Sequence, residues 1–309
     1  MTEHEVSFPH GDLRLAGSLR TCHPAPAPAA LLISGSGPID RNSNGKRMPL
    51  GVAAAIADDL AARGVATLRY DKRGIGASGG DYRSAGMLDN IDDARAALAF
   101  LRDHPDVDAD QVVVIGHSEG ALIAAELAAD ATLAGVVLLA GAAQTGRDVL
   151  EWQARQIAPT LPAPVRALLR LLRQDLVRTQ AKRLDRLAAS SDDVIRLQGV
   201  RVNARWFREF MAFDPAVSLE AIAVPTLAIT GAKDVQVDCG DIAHMNELVP
   251  HAFTGHVLDD LSHLLRHDPT TAGVRNYKKQ MRQPMDPRVL DLLGDWITEQ
   301  LNASATTNV

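Results

Sequence analysis

Cysteine is nearly absent from this chain. Cys22 and Cys239 are the two among 309 residues. They lie far apart without CxxC spacing, so reduced thiols are expected in place of a disulfide framework or a thiolate metal site. Basic excess is also missing. The formal net charge is −6, which argues against a general nucleic-acid binder. No apolar run reaches the roughly 18 residues of a membrane span. Met1-Thr2-Glu3-His4-Glu5-Val6 lacks a basic stretch followed by an apolar one, so no signal peptide is expected and a cytoplasmic location is. No Walker A motif and no internal repeat is visible. Aromatic residues make up 4% of the chain, so the cluster Trp152, Trp206, Phe207, Phe210 and Phe213 stands out. The length suits one large α/β domain with room for an inserted subdomain.

The most informative segment is Gly116-His117-Ser118-Glu119-Gly120. It follows the apolar run Gln111–Ile115 and precedes the helical pattern Ser118–Asp130. Glycines on both sides let the backbone reverse sharply, so that a serine hydroxyl stands above a sheet edge. A buried strand pattern at Val224–Thr230 is followed by Gly231-Ala232-Lys233-Asp234. A last apolar stretch, Ala252–Leu258, leads to Asp259-Asp260-Leu261-Ser262-His263. Ser118, Asp234 and His263 therefore occur in the order nucleophile, acid, base.

On these residues the chain resembles the α/β-hydrolase superfamily over nearly its whole length. Two further segments carry the likeness. Tyr70-Asp71-Lys72-Arg73-Gly74-Ile75-Gly76-Ala77-Ser78 is similar to the superfamily's Asp-x-Arg-Gly-x-Gly-x-Ser turn. The loop Gly35-Ser36-Gly37-Pro38-Ile39-Asp40-Arg41-Asn42 resembles bacterial serine esterases and serine-aminopeptidase-like hydrolases. The resemblance implies a mostly parallel central sheet covered by helices. It also implies an oxyanion hole made of the backbone N–H groups of Ser36 and Glu119.

The periodicity agrees. Strands are expected at Ala29–Ser34, Val65–Tyr70, Gln111–Ile115 and Leu133–Ala140, with helices at Leu50–Arg63 and Met87–Asp103. Val6–Leu19 reads as an opening hairpin around Gly11-Asp12. Continuous apolar strands separated by helices imply a parallel sheet covered on both faces. Between Gln144 and Ala221 no strand pattern is read, and helix formers dominate Val165–Ala189 after Pro159, Pro162 and Pro164. We expect residues 144–221 to form a helical cap, residues 1–143 and 222–301 the core, with helices near Cys239–Leu248 and Pro287–Leu301, and residues 302–309 a flexible tail. The cap segment is enriched in arginine. That reads either as a solvated helical face or as a positive lid for anionic substrates. The aromatic cluster packs the cap against the core or lines an acyl pocket.

Each assignment has rivals. His251, His256 and His267 compete with His263, and Asp238 and Asp241 compete with Asp234, though both suit the start of the following helix. Asp40, Arg41, Asn42 and Asn44 suit local hydrogen bonding in a loop, and Asp71 and Arg73 read as structural. Gly74-Ile75-Gly76-Ala77-Ser78-Gly79 matches G-x-G-x-x-G formally, but no helix opens within it, so no dinucleotide cofactor is expected. His263 and His267 are four apart without the Glu of an HExxH helix, so no metal is expected. A serine at the turn points to acyl transfer: a carboxylesterase cleaving small acyl esters through an acyl-enzyme. The alternatives are a serine peptidase or aminopeptidase-like amide hydrolase, and a non-catalytic ligand-binding protein. The partner is then a small ester or amide, with no nucleic acid and no membrane, and homo-oligomers remain open.

Overall fold

Strands that are apolar at successive positions must be covered on both sides. The computed structural model describes residues 1–130 and 132–307. Its central sheet has eight strands: β1 (Thr2–His10), β2 (Leu13–Thr21), β3 (Ala27–Ile33), β4 (Ala66–Tyr70), β5 (Val107–His117), β6 (Gly135–Leu139), β7 (Thr226–Gly231) and β8 (Phe253–Leu258). Their order is β1-β2-β4-β3-β5-β6-β7-β8. β1 pairs antiparallel with β2, and β2 with β4. Every later pairing is parallel. The fold is thus a mostly parallel α/β sheet, with the expected hairpin turning at Gly11-Asp12.

Helices α1 (Val52–Ala62), α2 (Met87–Arg102) and α3 (Glu119–Asp130) follow β3, β4 and β5. Between β6 and β7 come α4 (Gly146–Thr160), α5 (Ala163–Leu171), α6 (Leu176–Ala188), α7 (Ala204–Ala212) and α8 (Pro215–Ala221). Then come α9 (Asp241–Leu248), the short α10 (Tyr277–Gln280) and α11 (Pro287–Thr307). Side chains alternate across the sheet with a period of two. Leu31, Val114 and Leu138 pack with Ile91 of α2 and Ile123 of α3 on one face. Leu32, Val113 and Ile229 pack with Leu60 of α1 and Leu293 of α11 on the other.

Two expectations need correction. The 144–221 segment contains a β-hairpin, Val194–Leu197 with Val200–Asn203. Gln198 and Gly199 both adopt positive φ, +51° and +81°, as a two-residue turn with the hand of the strands requires. The hairpin, α6 and α7 share a small core of their own, in which Leu184, Leu187, Leu197, Ala204 and Met211 are buried. At the other end of the chain, α11 runs on through Thr307, where a tail from residue 302 is expected. Asn302-Ala303-Ser304-Ala305 holds no Gly or Pro to stop a helix. Asn308 and Val309 of that tail lie outside the described residues. Pro159 sits in the last turn of α4.

Because β5, β7 and β8 run parallel, their C-terminal ends meet at one edge of the sheet. Ser118 follows β5, Asp234 follows β7 and His263 follows β8.

Candidate active site

Ser118 sits at φ +57°, a left-handed conformation that a side-chain-bearing residue adopts only under constraint. Both flanking glycines are required by close approach. A Cβ on Gly116 would lie 1.9 Å from the Gly120 carbonyl oxygen, and one on Gly120 would lie 2.2 Å from that of Ile33. The turn is held by Ser118 N–H donating to Leu139 O at 2.9 Å and by Ala121 N–H donating to Ser118 O at 2.9 Å.

The three residues expected to act together are in contact. His263 Nε2 lies 3.1 Å from Ser118 Oγ, and His263 Nδ1 lies 2.7 Å from Asp234 Oδ2. Asp234 Oδ1 accepts the Gln236 and Val237 amides at 2.7 and 3.0 Å. The carboxylate is buried and aimed. Among the described residues, neither the Ser36 nor the Glu119 N–H donates to a protein acceptor. Glu119 opens α3, where the first amides have no intrahelical partner.

The histidine loop is pinned from beneath. Ser262 Oγ donates to Gln280 Oε1 at 2.7 Å. Arg266 is buried against the carbonyls of Leu264 and Gln283, and burial lowers its pKa to about 10. His117 Nε2 lies 2.9 Å from His263 O. Burial, then the neighbouring His263 ring, lowers the His117 pKa to about 4. His117 is thus neutral near pH 7, with Nε2–H donating to the carbonyl.

The rivals have other partners. Asp238 Oδ1 accepts the Gly240 amide at 2.9 Å, two residues on, and does not cap α9 as expected. Asp241 does not cap: it accepts the Ala143 amide and the Gln144 side chain, each at 3.1 Å. His267 pairs with Asp260 at 2.9 Å, and His256 lies within β8. Asp40 Oδ1 accepts the Asn42 and Asn44 amides. Arg41 donates to Asp71 at 2.8 Å. Burial opposes the Asp71 charge, but Arg41 and two amides hold its carboxyl below the usual range. Arg73 ties its turn to α2 through Asp93 at 2.7 Å. Among the described residues, no three His, Cys, Asp or Glu side chains converge as metal ligands.

Two small cavities flank Ser118. One, about 80 Å³, is lined by Ser36, Glu119, Leu122, Val149, Leu150, Trp206 and Phe210. The other, about 110 Å³, is lined by Gly35, Ile39, Met48, Leu50, His263 and Tyr277. Gln236 borders both and donates to Tyr277 Oη at 3.2 Å.

A family model described as serine aminopeptidase, S33, matches residues 43–270. The chain belongs to the serine aminopeptidase S33 family. It has the α/β-hydrolase fold. Esterase EstD of Thermotoga maritima is 28% identical over 281 residues, 89% of this chain and 63% of that protein. The S33 chain thus spans under two thirds of the length of that relative. Two solved structures share its architecture. DcsB in complex with its substrate analogue matches at TM-score 0.66 and 17% identity, covering 97% of this chain and 99% of that one. Est1E from Butyrivibrio proteoclasticus with ferulic acid bound matches at 0.63 and 15%, with coverage of 97% and 99%.

Sequence reasoning about this S33 family member missed the side chains at the variable positions of its turn. His117 holds the His263 carbonyl, and the Glu119 carboxylate accepts Lys72, Asn90 and Trp206. Their partners lie far off in the chain, and no local pattern signals them.

Two outcomes are expected. Gly120→Ala places its Cβ against Ile33 backbone, and overpacking of this kind costs about 1–3 kcal/mol. The melting temperature should fall. His117 gives a pH signature. The unfolded ring takes a proton near pH 6.5, whereas the folded ring resists it down to about 4. Folding therefore weakens as pH falls through that window, by at most about 3 kcal/mol. Urea unfolding at pH 7, 5.5 and 4.5 should show a steeper loss in wild type than in His117→Gln.

Proposed function

We propose that this hydrolase is a serine carboxylesterase acting on small acyl esters through an acyl-enzyme. The observation that carries the reading is the unbroken chain Ser118 Oγ–His263–Asp234 at 3.1 and 2.7 Å. Ser118 Oγ attacks the ester carbonyl carbon while its proton passes to His263 Nε2. Asp234 holds the Nδ1–H tautomer and stabilises the imidazolium. The carbonyl oxygen becomes an oxyanion facing the unpaired Ser36 and Glu119 amides. Collapse breaks the bond to the alcohol, which takes the proton from His263. Water, deprotonated by His263, then attacks the acyl-enzyme and releases the acid, returning the proton to Ser118.

The two cavities divide the substrate. His263 must reach the leaving oxygen, so the alcohol occupies the cavity that His263 lines. The acyl group enters the apolar cavity beside Glu119 and Trp206. Both lie well below the roughly 300–1,000 Å³ of a drug-sized site, which favours small groups. Residues 144–221 act as the cap, since Val149, Leu150, Gln153, Trp206 and Phe210 wall the acyl side.

An aminopeptidase needs an acid to bind the substrate ammonium. Among the described residues, Glu119 is the one acidic residue lining either cavity, and its carboxylate already holds Lys72, Asn90 and Trp206. That observation favours ester over aminoacyl amide. The chain is further proposed to work in the cytoplasm with neither cofactor nor nucleic-acid or membrane partner.

The test is hydrolysis of p-nitrophenyl acetate, butyrate and octanoate beside aminoacyl-p-nitroanilides, with wild type and Ser118→Ala. Ester turnover should exceed anilide turnover and fall by at least about 10⁴-fold in the variant. Anilide turnover exceeding ester turnover would reverse the assignment.

A further inference from the structure

The proposed reaction uses the Glu119 main chain and leaves its side chain without a role. That side chain is 1% exposed and lies directly behind the nucleophile turn. Its Oε1 accepts Lys72 Nζ and Asn90 Nδ2, each at 2.9 Å, and its Oε2 accepts Trp206 Nε1 at 2.9 Å. Lys72 and Asn90 are also buried. A buried ion pair is poor evidence for stability, because desolvation offsets much of the attraction. What such a cluster supplies is position. Lys72 and Asn90 belong to the core, whereas Trp206 belongs to α7 of the inserted segment. Its ring stacks on Phe210 at 4.7 Å, and both rings line the acyl-side cavity.

We propose that the Glu119 carboxylate is a positioning residue that latches the Trp206 ring against the Ser118 turn and so sets the acyl-chain length accepted. The inference rests on the ester-hydrolysis reading. The chemistry of the partners calls for a carboxylate. An ammonium and an indole N–H are donors only, and a carboxylate alone among neutral-pH side chains offers acceptors to all three groups. A glutamine would turn its own N–H₂ toward one of them. The anchoring of α7 is independent of the latch. Asn203 Nδ2 donates to Tyr82 O and Ala85 O at 3.0 and 2.7 Å, Leu88 N–H donates to Glu209 at 2.9 Å, and Arg205 pairs with Asp89 at 3.1 Å. Loss of the latch therefore frees the ring and leaves the helix in place.

Trp206→Phe keeps an aromatic wall and removes the indole N–H. Across p-nitrophenyl acetate, butyrate and octanoate, the octanoate-to-acetate ratio of kcat/KM should rise on the order of tenfold, as expected from one lost charge-assisted hydrogen bond. Glu119→Gln should shift the ratio in the same direction, and the two changes should couple in a double-mutant cycle. A wild-type ratio in Trp206→Phe would overturn the latch. A second readout needs no substrate. The Trp206 indole proton, assigned in NMR spectra by its loss in Trp206→Phe, should exchange slowly in wild type and quickly in Glu119→Gln. Fast exchange in wild type would overturn the latch. No ester turnover by wild type, with slow exchange intact, would sink the esterase reading and still support the latch.

Discussion

The backbone reversal at Ser118 is the constraint on which the rest of the site depends. The turn places the Gly116 and Gly120 main chains so close that neither position has room for a Cβ. It also forces Ser118 to a positive φ. That conformation persists because β3, β5 and β6 over-determine it. Ile33 crowds Gly120 from β3, and Leu139 accepts the Ser118 amide from β6. Strain held in this way gives the hydroxyl one direction and leaves the first amide of α3 without an acceptor. The structural demand for glycine and the chemical need for an exposed oxygen have the same origin.

Strand order does the remaining assembly. β7 and β8 lie beyond β6 in the sheet, so the loops after them converge on the same edge as Ser118. Each side chain they carry has a second contact that fixes its aim. Asp234 is held by two amides, and His263 by its carboxylate and by the buried His117. The nearby charges are similarly committed: Arg41 to Asp71, Arg73 to Asp93 and Lys72 to Glu119. The cavities are mostly apolar, with few groups to recognise a charged substrate.

Much of this was legible because it is written locally. Glycines at 116 and 120, apolar runs at Gln111–Ile115 and Val224–Thr230, and a histidine following Ala252–Leu258 are short-range signals of turns and parallel strands. The hairpin Val194–Asn203 was not legible: its strands are four residues each and sit within a strongly helical composition. The α11 extension is a boundary effect in a stretch with no stop signal. The roles of Lys72, Asn90 and Trp206 around Glu119 were not legible. They arise from residues 47, 29 and 87 positions away, which meet only after the sheet and the inserted segment have folded.

The central claim is that His263, aimed by Asp234, makes Ser118 a nucleophile. Labelling with a fluorophosphonate, followed by peptide mass spectrometry, tests it most directly. The account predicts a single adduct on Ser118, forming fast in wild type and at least about 10³-fold more slowly in His263→Ala. An unlabelled protein, an adduct at another serine, or an unchanged rate in His263→Ala would contradict it.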